Sequence, residues 1–287
     1  MAGIGIILNP HSKQHKRDPD RMKRLSFIVG DKGSCKETSD LNDLRRVVEE
    51  FKTRDIDILA IGGGDGTNHK VLTHLIKCYG EKPLPKITFL RGGTLNTMAQ
   101  SIGISGSPEK ILSNLIYKYH EDQAFTYTDM KLMDINGEYG FIFGTGVIVR
   151  FMQAYYKKGR MSPVGAGITL AHSISSALIN GAFARKMFER YDAKVIVDGK
   201  EWPFKNYSAL YAGSVDQLGL NFKVFYHSSE KDRFHAVGFS VPPRNILRHV
   251  PKMFLGKPSQ SEDLIECPAQ EMKMIFNTPQ EYTIDGD

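Results

Sequence analysis

Hydrophobic positions follow two different rhythms along this chain. In the first part, short apolar runs alternate with segments of helical spacing. Ile4–Leu8 is a run that stops at Asn9-Pro10, and Ile56–Ile61 and Ile87–Leu90 repeat the pattern. Such runs, bounded by turn residues, predict buried strands. Between them, Leu41, Leu44, Val47, Val48 and Phe51 follow a Ser39-Asp40 start signal, and Val71, Leu72, Leu75 and Ile76 mark one face of a second helix. Ser107-Pro108-Glu109 opens a third, with Ser as cap and Pro in the first turn. The polar stretch His11–Arg24 reads as a loop or an exposed helix. Alternating strands and helices predict a doubly wound, mostly parallel α/β sheet over residues 1–125. From 126 to 287 the rhythm changes. Phe125–Tyr127, Phe141–Phe143, Val195–Val197, Ser208–Ala212, Phe222–Tyr226 and Ala236–Val241 are short aromatic and β-branched runs, and Asp198-Gly199 is a hairpin turn. Helical stretches near 151–191 and 245–254 interrupt them. The expectation is an α/β domain followed by an all-β-rich domain, with a cleft between the two.

Composition narrows the class. The chain has 287 residues, with 41% hydrophobic and 24% charged, so it can build a core and is not disordered. Mean hydropathy is −0.31, and no apolar run approaches the ~18–20 residues of a membrane-spanning helix. The N-terminus lacks a basic region followed by a long apolar stretch, so it does not read as a signal peptide. Cys35, Cys78 and Cys267 are far apart and suggest neither zinc nor a disulfide scaffold, so a reduced, cytoplasmic protein is the expectation. The net charge of +6 is a mild basic excess, compatible with an anionic partner or with an ordinary surface.

The chemistry gathers in two glycine-rich turns, Gly62-Gly63-Gly64-Asp65-Gly66-Thr67 and Arg91-Gly92-Gly93-Thr94-Leu95-Asn96. Each follows a predicted strand and enters a predicted helix, the place where open α/β sheets bind ligands. Glycines let a phosphate approach the backbone, and the helix start offers unpaired N–H groups. Four glycines at set places in six positions arise by chance on the order of two times in 100,000 windows. Thr67 adds a hydroxyl. Asp65 would repel a phosphate unless a cation stands between them, and Mg²⁺ suits that place. The pattern is neither a P-loop nor GxGxxG.

These motifs resemble those of the diacylglycerol kinase catalytic-domain family, which includes bacterial soluble lipid kinases and sphingosine kinases. The resemblance is carried by Asn9-Pro10, by Gly63 to Thr67, by Gly92-Gly93-Thr94-Leu95-Asn96 with Ala99, and by Asp285-Gly286-Asp287 near the end. It implies a first domain like that of NAD kinases and phosphofructokinases and a C-terminal β-sandwich domain for the lipid. ATP and Mg²⁺ would lie in the cleft between them. By position, Asn9, Gly62, Gly63, Gly64, Gly66, Thr67, Gly92, Gly93 and Thr94 would cradle the nucleotide, with Asn96 joining by hydrogen bonds. Asp65 and Asp129 would serve the metal and phosphate network, and Asp285 would be the base that takes the lipid hydroxyl proton. The family's usual Glu after the first string is Lys70 here, and its Asp-Asp-Gly-Leu segment appears as Gln217-Leu218-Gly219-Leu220. No second metal site is therefore expected. Family chains normally continue through another strand beyond the position of Asp287.

Two rivals share part of this picture. A kinase phosphorylating NAD has the Gly-Gly-Asp-Gly-Thr string, but its downstream Asn-Glu motif is missing here. A nucleotide-binding regulator that has lost catalysis would fit Lys70 and Gln217. Nucleic-acid binding has only the isoelectric point in its favour. His11, Lys13, His15, Lys16 and Arg17 read first as a solvated loop. Lys157, Lys158, Arg160, Arg185, Lys186 and Arg190 flank an apolar stretch from Val164 to Phe183, which is either an interfacial helix against an anionic membrane or a packed helical hairpin. The number of chains in the assembly is left open, a homodimer included.

Overall fold

The structure, a computed structural model, describes residues 3–157, 163–179, 181–219, 222–259 and 261–287. These fall into two compact units: one reaches Asp129 and includes Asn136–Tyr139, and the other comprises Met130–Ile135 and Gly140–Asp287.

The first unit runs β1 (Ile4–Leu8), α1 (Lys13–Arg17), α2 (Asp20–Val29), β2 (Gly33–Glu37), α3 (Leu41–Arg54), β3 (Ile58–Gly62), α4 (Asp65–Tyr79), β4 (Lys86–Phe89), α5 (Thr97–Ser101) and α6 (Pro108–His120). The strands pair in parallel in the order β2-β1-β3-β4. Successive side chains on a strand face opposite ways. Ile4, Ile6 and Leu8 therefore join Ile58 and Ala60 in one core with Leu25 of α2 and Leu112 of α6. Gly5 points the other way, against Phe51 of α3. Helices thus cover both faces, and the doubly wound α/β expectation holds. The helix starts are built as their sequences imply. The Asp40 carboxylate accepts the amides of Asn42 and Asp43 at 2.8 and 2.9 Å, and Ser107 Oγ accepts that of Lys110 at 3.2 Å. Each such cap contributes about 1 kcal/mol.

Some local expectations change. The polar stretch after Asn9 forms α1 and α2 rather than a loop, and His15 within it is buried. Phe125–Tyr127 forms no strand: Phe125 packs on the α2–α6 core, while Tyr127 is exposed with the Lys86 ammonium 4.9 Å from its ring centre.

The chain then passes through two short strands, β5 (Met133–Ile135) and β6 (Glu138–Gly140). The second unit continues with β7 (Ile142–Thr145), α7 (Val147–Lys157), α8 (Pro163–Leu178), α9 (Ala182–Met187), β8 (Tyr191–Val197), β9 (Lys200–Glu201), β10 (Asn206–Tyr207) and β11 (Ala209–Gly213). It closes with β12 (Phe234–Phe239), α10 (Ile246–Leu255), β13 (Leu264–Ala269), β14 (Met272–Phe276) and β15 (Tyr282–Ile284). One antiparallel sheet has the order β13-β12-β11-β7-β15, and the other β10-β8-β14 with β9 on β8. Val195 and Val197 from the second sheet share a core with Leu210, Ala236 and Ala269 from the first, so the two sheets form a sandwich. At the β8–β9 hairpin, Asp198 and Gly199 have φ of 47° and 77°, the positive values that a type I′ turn needs.

Phe222–Tyr226 is not a strand. Its backbone is taken up in local bonds, Leu218 N–H to Phe222 O at 2.9 Å and Phe225 N–H to Asp216 O at 3.1 Å, while the Phe222 and Phe225 rings are buried. The apolar stretch after Val164 is the packed hairpin of the two alternatives: α8 and α9 lie together, with the His172 and Phe183 rings 4.4 Å apart. Lys158, Arg160 and Leu220 lie outside the described residues. No described helix is long and apolar enough to cross a membrane.

Candidate nucleotide site and the Asp285 turn

The first glycine turn joins β3 to α4 and the second joins β4 to α5. None of Gly62, Gly63, Gly64, Gly66, Gly92 and Gly93 has positive φ, so backbone conformation is not what requires glycine here. Proximity is. A Cβ on Gly92 would lie 2.9 Å from the Cα of Gly63, and one on Gly93 would lie 2.5 Å from the Cα of Gly64. The two turns are seated backbone against backbone, which leaves no room for a methyl group. This gives the glycine string a structural cause that counting glycines did not reveal.

Asn9, at the end of β1, ties this floor to the first strand. Its N–H donates to Gly62 O at 2.9 Å, and its Nδ2 donates to Thr67 Oγ1 at 2.9 Å. Thr67 is thereby held as an acceptor with its own proton available to a ligand. Thr94 stands half-buried with no hydrogen bond to a described residue. The first N–H groups of α4 have no carbonyl within their own helix, as at every helix start. Three further residues that sequence reasoning missed steady the arrangement. Gln14 donates its N–H to Gly92 O at 3.3 Å and its Nε2 to Gly93 O at 3.0 Å. Arg21 Nη1 holds Gln14 Oε1 at 2.8 Å, and Arg21 Nε reaches Glu109 at 2.9 Å. Buried His15 sets Nδ1 2.7 Å from Asn9 O, where only an Nδ1–H can bond to a carbonyl. Its Lys and Arg neighbours gave the segment the look of a solvated loop, which hid these roles.

Two expected site residues do different work. Asn96 is buried in the left-handed region at φ 51°; its Oδ1 accepts the Gly93 N–H at 2.8 Å and its Nδ2 donates to Gly93 O at 3.1 Å. Its amide is spent closing the second turn rather than offered to a nucleotide. Asp65 accepts the amides of Thr97 and Met98 at 3.0 and 3.3 Å, one on each oxygen. It caps α5 from across the turns. Enclosure of this carboxyl raises its pKa, and the two amide donors offset only part of that rise.

The magnesium assignment does not fit these carboxylates. Asp65 has both oxygens on backbone amides, and Asp129 is exposed at the end of the first unit. Among the described residues no group of three or more His, Cys, Asp or Glu side chains could hold a metal ion. Asp65 and Asp129 are therefore corrected from metal ligands to a helix cap and a surface residue, and no step is derived through a magnesium ion.

Asp285 belongs to the second unit. It follows β15 in a turn where Asp285 and Gly286 have φ of 51° and 85°. The carboxylate is buried at 6% exposure and accepts the amides of Phe141 at 3.1 Å and Ile142 at 2.8 Å, at the start of β7. Its own N–H returns to Ile142 O at 2.9 Å. A Cβ on Gly140 would fall 2.3 Å from Ile284 and 3.2 Å from Asp285 Oδ2, so glycine there keeps the carboxylate's place clear. The result is an oriented carboxylate clamped to backbone.

Residues 4–125 match the family model of the diacylglycerol kinase catalytic domain. Over that stretch the chain is similar to this family. A curated relative, the probable lipid kinase YegS of Escherichia fergusonii, is 29% identical over 151 residues, or 50% of this chain and 46% of that protein. The chain thus spans about half the length of the relative it matches. The fold extends further than the sequence likeness. A solved diacylglycerol kinase structure from Bacillus anthracis str. Sterne superposes with a TM-score of 0.67 at 13% identity, over 99% of this chain and 89% of that one. Another chain from the same strain gives 0.71 at 14% identity, over 100% and 90%.

Proposed function

We propose that the protein is an ATP-dependent lipid kinase that transfers the γ-phosphoryl group to a hydroxyl of a diacylglycerol-like lipid. The observation that carries this reading is the pair of glycine turns at the carboxyl ends of β3 and β4, seated on each other within the stretch that matches the diacylglycerol kinase catalytic domain. A backbone floor without side chains, a helix start with unpaired N–H groups, and the hydroxyls of Thr67 and Thr94 together suit a polyphosphate. Asn9 fixes Thr67, and Asp65 and Asn96 hold the second turn rigid. The catalytic duty of these groups is to bind the phosphates and spread the charge that develops as the terminal group departs.

Transfer also requires an acceptor for the hydroxyl proton, and we assign this to Asp285. A carboxylate held by two amides is oriented before substrate arrives, which is what a general base needs. Aliphatic hydroxyls are weak acids, so the proton moves as the new P–O bond forms rather than beforehand.

Incubation of the purified chain with ATP labelled at the γ-phosphate and mixed diacylglycerol micelles tests the reading. Label in the lipid fraction is expected. Label in NAD offered in parallel would favour the nicotinamide-nucleotide alternative, and nucleotide binding without label in either would favour the regulator. Contact with an anionic membrane belongs to this proposal.

A further inference from the structure

We propose that α10 and the turn after it form a docking surface for an anionic lipid bilayer. The inference deepens the lipid-kinase reading, since it supplies the route to a membrane substrate. It stands on four observations within the second unit. First, the outward arc of α10 mixes apolar and cationic residues: at 100° per residue, Arg248, Lys252, Leu255 and Pro251 fall within about 100° of one another, and Phe254 lies about 60° beyond Pro251. His249, which bonds to Ser259, is buried at the flank of this arc. Second, Phe254 and Leu255 are 42% and 64% exposed, side by side at the helix end. The Phe254 ring is 4.1 Å from that of buried Phe222, so this apolar tip has a firm base. Third, no Asp or Glu occurs between Asp232 and Glu262. Exposed Arg248, Lys252 and Lys257 make no ion pair with a described residue, and Lys223 sits against Gly256 where the helix ends. Fourth, α8, which packs beside α10, exposes Ile168.

A solvated helix face mixes acids with bases and keeps large apolar groups inward. This face does neither. Apolar side chains that can enter the headgroup layer, ringed by cations that attract anionic lipid, define an interfacial anchor. A second copy of the chain is a poor occupant, because a two-fold contact would set the same cations against one another.

The test uses the full chain without nucleotide, floated with vesicles of phosphatidylcholine alone or with about one-third phosphatidylglycerol. At least roughly tenfold more binding to the anionic vesicles is expected, lost in about 0.5 M salt. Lys252→Glu with Lys257→Glu should reduce it to the level of neutral vesicles, and Leu255→Asn should weaken it about three- to tenfold. Both changes fall on exposed positions and should leave the melting curve and the transfer to micelle-dissolved lipid as in the wild type. Unchanged flotation in both variants, or binding indifferent to salt, overturns the proposal. So does a doubled mass in light scattering that Leu255→Asn halves, which would make the tip a self-contact. Wild-type chain that floats but labels no lipid leaves the surface standing and removes the kinase reading; label without flotation does the reverse.

Discussion

Two regions carry the candidate chemistry, and they are built by opposite means. In the first unit, the glycine turns meet because side chains have been left out: Gly93 rests where a methyl group would be 2.5 Å from the Cα of Gly64. In the second, the Asp285 turn is held because a side chain has been put in, with its carboxylate on the amides of Phe141 and Ile142. The first arrangement is steric and tolerates no addition. The second is electrostatic and tolerates a replacement that still accepts hydrogen bonds. A shape change should therefore break the first region, whereas a charge change should silence the second while leaving it standing.

The largest effect should come from the charge change. In Asp285→Asn the amide oxygen can still accept from backbone, so folding should survive, while kcat falls about 10²–10⁴-fold, or roughly 3–5 kcal/mol in the barrier. Steady-state lipid phosphorylation with a parallel nucleotide titration would show it; an unaltered kcat makes the carboxylate an anchor only.

Acid should separate the two units next. His235 in β12 is fully buried with neither ring nitrogen hydrogen-bonded to a described residue, and burial, with the charge of His227 second, pushes its pKa down to about 3. The unfolded imidazole takes a proton near 6.5. Stability from keeping it neutral is whole above that pH and drains away as the pH falls toward 3, up to about 4 kcal/mol, less whatever Glu266 at 3.7 Å returns to the protonated ring. Trp202, the sole tryptophan, lies in the sandwich core and reports this unit's unfolding. Its urea midpoint should drop between pH 7 and pH 4, and His235→Leu should flatten that dependence. A midpoint as steep in pH for the variant as for the wild type would move the acid sensitivity elsewhere.

Gly93→Ala tests the steric side. About 2–3 kcal/mol should be lost because the opposing atom is backbone and cannot step aside. Gly103→Ala is the control: its φ is 73° with nothing within 4 Å, so about 1–2 kcal/mol of backbone strain is expected. Equal losses in urea melts would dissolve the distinction. Asp65→Asn should give the smallest change, about 1 kcal/mol from a weakened cap on α5, with the magnesium dependence of turnover unmoved. A displaced magnesium midpoint would restore Asp65 to the metal.

Much of the first unit could be read from local pattern alone. The runs that became β1, β3 and β4 are continuous apolar stretches, and Asp40 and Ser107 announce their helices within three residues. β2 could not be read, because Gly33–Glu37 is half-buried at the sheet edge and lacks an apolar face. Phe222–Tyr226 misled because aromatic content reports where side chains are buried, whereas a strand also needs a partner for its backbone; Phe125–Tyr127 misled because its one packed ring, Phe125, needs no strand to reach the core. At the site, the glycines were visible but their cause was not, since Gly63 and Gly92 meet only after folding. Asp65 looked like a metal ligand because the two amides that donate to it, those of Thr97 and Met98, stand over thirty residues away.

The seating of the glycine turns also constrains inheritance. A bulky change in most cores can be rescued by trimming the residue opposite. Here the opposite residue is already the smallest that the genetic code offers, so no second substitution at either turn can make room for the first. Revertants of Gly93→Ala should return to glycine itself rather than arise by suppression at Gly64.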